Sequence, residues 1–108
     1  MADFNDYLAA LRTELPEFVA YSWKNEKTAA LKDARAFMQQ VEADLQRWTA
    51  LLARGDLTRD DFEWLVAGKK DLAELDTLKR KGLSRVALER FVNGLIDTIV
   101  TTAFKIFL

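Results

Sequence analysis

The chain has no cysteine and no histidine. Without thiols there can be no disulfide, thiolate nucleophile or Cys-ligated metal. Without imidazole the commonest general base and the commonest transition-metal ligand are also missing. Glycine and proline are scarce, at four and one, where an average chain holds roughly 12% of the two together, and this excludes collagen-like and turn-rich all-β architectures. Neither sign of charge dominates. Sixteen Lys and Arg face seventeen Asp and Glu, so the protein as a whole is no polyelectrolyte binder. Long hydrophobic runs are lacking too. The most apolar stretch, Leu95 to Leu108, is broken by Asp97, three threonines and Lys105, and it falls short of the ~20 residues that cross a bilayer. Met1 to Asp6 carries acid where a signal or transit peptide needs Lys or Arg. A cytoplasmic protein without a membrane span is the expectation.

What is present is apolar and helical. Half of the 108 residues are hydrophobic and 31% are charged, which fits one helical domain over residues 1–108. Phe4, Leu8, Leu11, Leu15 and Phe18 recur at alternating spacings of four and three, the stripe of an amphipathic helix that Asp3 can cap. Pro16 removes a backbone donor from that helix, so the spacing predicts a first helix to about Leu15 and a kinked continuation. Asn25 offers the next cap. Leu31, Ala34, Met38, Val41, Leu45, Trp48 and Leu52 then mark a second helix of about 29 residues, ~43 Å long, that ends at Gly55.

Thr58 is placed to cap a third helix, with Asp60, Asp61 and Glu63 in its first turn, after a loop of two or three residues. Its apolar side holds Phe62, Leu65, Val66, Leu72, Leu75 and Leu78, and it closes at Lys79, Arg80, Lys81 and Gly82. Ser84 caps a fourth helix, whose apolar face from Val86 to Phe107 is wider than 100°. Because the stripe keeps its phase across Asn93 and Gly94, that helix reads as continuous. The sum is an all-α, antiparallel four-helix bundle with a kinked first helix and a long second one.

Each constellation with residue types suited to chemistry has a plainer explanation. The acids around Gly55 lack the order of a calcium loop, in which the glycine lies among the ligands, and helix capping accounts for them. A carboxylate-bridged di-iron centre needs Glu-x-x-His pairs, which a chain without histidine cannot supply. Asp33, Glu42 and Asp44 fall outside the apolar stripe of the second helix and read as solvated charge. Ser84 reads as a cap, and no serine or threonine has an imidazole to activate it. No cofactor or metal is expected, and catalysis is not. Trp48 and the other aromatic residues read as core packing.

Charge is uneven along the chain. Residues 1–67 hold 8 basic and 12 acidic side chains, net −4; residues 68–108 hold 8 and 5, net +3. Lys69, Lys70, Lys79, Arg80, Lys81, Arg85 and Arg90 are the candidates for a phosphate-binding patch. Acids interleave with them and stacking aromatics do not, so nucleic-acid binding stands second.

The stretch from Leu51 to Glu63, with a Leu-rich helix end, Gly55, the Leu57-Thr58 turn and the acidic start before Phe62, resembles the short helical hairpin at the C-termini of many bacterial proteins. Trp64 to Gly68 stands where that motif usually has a Lys and a Leu pair. The resemblance implies association.

The first functional reading is therefore a non-enzymatic interaction or assembly module. A ~43 Å helix in a domain whose radius of gyration should be near 13 Å must overhang or be covered by a partner. Symmetric dimers are the commonest soluble assembly, so a homo-oligomer is expected. The broad C-terminal face, with Ile99, Val100, Ala103, Phe104 and Phe107, is the candidate self-association surface. A small enzyme or a binder of apolar ligands stands third.

Overall fold

A computed structural model describes residues 2–108. These residues are 83% helical, and no strand occurs among them. Five α-helices follow one another: α1 (Phe4–Ser22), α2 (Lys27–Ala53), α3 (Arg59–Ala67), α4 (Asp76–Arg80) and α5 (Arg85–Phe107).

Two of the three long helices, α1 and α5, start on the caps that local chemistry offers. Asp3 and Asp6 form a reciprocal capping box at α1, each side chain accepting from the other's backbone N–H at 3.0 Å. Ser84 Oγ accepts from the Ala87 N–H at α5. At α2 the expected Asn25 cap is replaced by a 3-10 turn, Lys24–Glu26, which feeds directly into the helix. Pro16 lies inside α1, which runs on to Ser22 as a single helix.

The expected third helix does not form as one piece. It divides into α3, a 3-10 turn over Lys70–Leu72, and the five-residue α4, so the described residues form five α-helices where the spacing predicts four. α3 stops at Ala67 with Gly68 as its C-cap, Ala73 is extended, and α4 starts after Leu75, whose φ of 55° is left-handed. An L residue adopts that conformation at a cost of ~1 to 2 kcal/mol, and here its side chain is buried in the core. The loop between α2 and α3 has five residues, longer than expected, with Gly55 at φ 82°.

Asp33 corrects a second expectation. It is only 6% exposed, and its carboxylate accepts from the Leu78 N–H at 2.7 Å and the Thr77 N–H at 3.2 Å. Those amides belong to the first turn of α4, which has no cap of its own. A residue of α2 therefore caps α4 from more than forty positions away, with charge-assisted bonds. The physical reason lies in the phase of α2. Its buried face runs through Ala30, Ala34, Phe37, Val41, Leu45, Trp48 and Leu52. Phe37 draws the N-terminal half around, so Asp33 turns inward while Leu31 and Met38 are left at the edge.

The core fills the space between α1, α2 and α5. Tyr7 meets Phe107 and Phe18 meets Phe91, so α1 and α5 run in opposite directions. Tyr7 is fully buried and its hydroxyl donates to the Ile99 carbonyl at 2.8 Å. Burial pushes its phenol well above the usual tyrosine range. Gly94 marks the closest approach: a Cβ built there would lie 2.6 Å from the Phe18 ring. The glycine lets α5 pass that ring, and the helix is continuous through it.

The molecule measures 43 × 24 × 19 Å, with a radius of gyration of 13.7 Å. At 27 residues and 1.5 Å per residue, α2 is ~40 Å long and runs the length of the molecule. Its buried residues extend from Ala29 to Leu52, so α2 is covered from within the chain. Its length alone requires no partner.

Candidate interaction surface

The anchors anticipated on α5 lie mostly inside. Ile99, Val100 and Ala103 are buried by the chain's own helices. Phe104 and Phe107 are half-buried: Phe104 packs on Phe62 beneath the Arg59 guanidinium, and Phe107 on Tyr7. Most of the breadth of that face is used up by α1, α2 and α3; of the five anchors only the outer edges of Phe104 and Phe107 reach solvent, while Val86 at the start of the helix is exposed. The width was read correctly from the sequence, but the neighbours that fill it belong to the same chain.

The seven basic candidates are not gathered into one patch. Lys69 reaches Asp44 at 3.4 Å and lies over the Trp48 ring. Lys70 and Arg85 line one cleft with Asp71 and Glu89, and Arg85 pairs loosely with Glu89 at 3.8 Å. Arg80 lines another beside Asp33, Glu74 and Asp76, and Lys81 a third with Lys24, Lys27 and Glu26. Lys79 and Arg90 are exposed.

A different surface emerges where α1 crosses α2. A cleft of about 320 Å³ lies between them, with Leu11 and Leu15 at its base. Leu8, Pro16, Leu31 and Met38 line its half-buried walls, and Arg12, Arg35, Gln39 and Glu42 form an exposed rim. It continues along α2 through Leu31, Arg35 and Gln39 into a second hollow flanked by Lys27 and Lys32. The same rotation of α2 that buries Asp33 produces this groove, because it leaves Leu31 and Met38 between core and solvent.

The second feature is Trp64. It is 76% exposed, the one tryptophan outside the core. Phe62 and Val66 turn the inner face of α3 toward the core, and Trp64, two positions from each, must point away. Asp60 and Asp61 stand one turn before it on the outer side, and both are exposed. Sequence reasoning grouped Trp64 with the core aromatics, although its offset from the Phe62, Leu65, Val66 stripe was the signal that it lies outside.

Among the described residues no group of three or more Asp and Glu is placed to hold a metal ion, and no helix is long and apolar enough to cross a membrane. Comparison of the chain with protein-family models, with curated proteins and with solved structures gives no match in any of the three.

Proposed function

We propose that this chain is a non-enzymatic helical assembly module that associates with itself through its outer helical faces. The observation that carries the reading is the apolar groove between α1 and α2, where Leu8, Pro16, Leu31 and Met38 remain accessible beneath a polar rim that includes Arg12 and Arg35. Clefts of about this size with mostly apolar walls and a few charged groups are where ligands and protein side chains dock. The exposed Trp64 adds a side-chain type that interfaces favour. The groove walls and Trp64 together supply apolar surface that would stabilise a complex on burial, at ~25 cal/mol per Å².

Sedimentation velocity over a concentration series tests this. The average mass should rise from that of one chain as the concentration enters the high micromolar range. A mass that stays at one chain throughout would remove the proposal.

A further inference from the structure

If the chain self-associates as proposed above, the two exposed features differ in a way that specifies the contact. The groove has a net positive rim: Arg12 and Arg35 flank its apolar floor, with Gln39 and the single carboxylate Glu42 beside them, and Lys27 and Lys32 extend the positive edge along α2. The outer face of α3 is the reverse, with one large aromatic side chain, Trp64, behind Asp60 and Asp61 and beside Glu63. None of these four cations or of the three acids on α3 has an ion-pair partner among the described residues. Each surface thus holds what the other lacks.

We infer that self-association is heterologous: α3 of one copy docks in the α1–α2 groove of a second, with Trp64 on the apolar floor and Asp60 and Asp61 against Arg12 and Arg35. Several physical points favour this occupant. Two grooves facing each other would oppose like charges, as would two α3 faces, so neither surface suits its own copy. On a helix, residues three and four apart lie about 5 to 6 Å from each other at Cβ, so an indole seated on the floor brings both carboxylates to the rim. An arginine that stacks over the indole face also gains from the ring's negative quadrupole. Because knob and groove are different surfaces, each copy has one of each left over after a single contact, and the assembly grows beyond two unless it closes into a ring.

Complementation between two variants tests the contact. Trp64→Gln removes the knob at an exposed position, and Arg12→Glu with Arg35→Glu reverses the rim at two exposed positions, so both proteins should keep the wild-type circular dichroism spectrum. Each alone should sediment as one chain at concentrations where the wild type associates, with self-affinity reduced at least tenfold. Mixed in equal amounts, they retain one intact knob and one intact groove and should form a species of two chains that grows no further. If the wild type associates but Trp64→Gln associates equally well, or if the rim variant does, the docking mode is wrong while self-association stands. If the wild type is a single chain at every concentration, both fall together.

Discussion

The long helices and the segment between α2 and α5 are held by different means. The capping of α1 and α5 is written within their own sequence: the Asp3–Asp6 box and Ser84 satisfy the first amides locally, and the apolar stripes then choose which side is buried. The five-residue α4 has none of this. It is far below the ~12 to 15 residues at which an isolated helix becomes even marginal, its N-cap residue Leu75 is left-handed, and its first amides are satisfied by Asp33 of another helix. The difference teaches that a short helix can be a property of its surroundings. Here the surroundings are supplied by one buried carboxylate and one buried leucine.

The sharpest way to break that contrast is Asp33→Ala. It removes both acceptors and leaves the Leu78 amide buried and unpaired, which should cost ~3 kcal/mol, or roughly 13 °C in a chain of this size. Asp33→Asn keeps an acceptor oxygen without the charge and should lose about half as much, since Asn is also a good cap. Thermal and urea unfolding measure both. An Asp33→Ala protein as stable as wild type would show that α4 is held by something other than this cap.

Next in size is Gly94→Ala. In an open helix that change gains ~1 kcal/mol, but a Cβ 2.6 Å from the Phe18 ring forces the packing of α1 on α5 apart, and overpacking costs ~1 to 3 kcal/mol. A net loss of about 1 kcal/mol is expected from those two terms, and it should shrink in a Phe18→Leu background. Stabilisation by the alanine would contradict the close approach.

Tyr7→Phe should cost ~1 kcal/mol near neutral pH by removing the buried bond to the Ile99 carbonyl. Its pH dependence carries a sign. The folded phenol titrates above the unfolded one, so the native state holds its proton longer. The contribution is complete below about pH 10, the unfolded value. It falls as the pH rises beyond that, by up to ~1.4 kcal/mol per unit. The Tyr7→Phe protein lacks that slope, so the two stability curves should converge in alkali. Smallest of all is Glu89→Gln. Its partner Arg85 is 94% exposed and 3.8 Å away, so solvent screening leaves no measurable change in unfolding midpoint.

The all-helical class and the long helices were legible because period, caps and glycine stops agree over many residues, as at Ser84 and at Gly82, whose φ is 79°. What was not legible depended on contacts far apart in sequence. The apolar spacing of Leu72, Leu75 and Leu78 fits a continuous third helix, and nothing local announces that Leu75 will turn left-handed to meet a core. Asp33 was misplaced because Leu31 and Met38 defined the stripe, whereas the larger Phe37 wins the buried side and rotates the helix. That rotation also created the groove, so the candidate surface was hidden by the same choice. The α5 face was read correctly as wide, but width does not say whether a neighbour comes from the same chain or another.

Native-state hydrogen exchange tests most directly whether α4 is held from outside itself. In the Asp33→Ala protein the amides of Leu78, Lys79 and Arg80 should lose their protection selectively, while those in the middle of α1 and α5 exchange only as much faster as the global loss of stability requires. Protection at α4 that falls no further than at α1 and α5 would contradict the account, because it would mean that the short helix stands without the carboxylate that reaches it from α2.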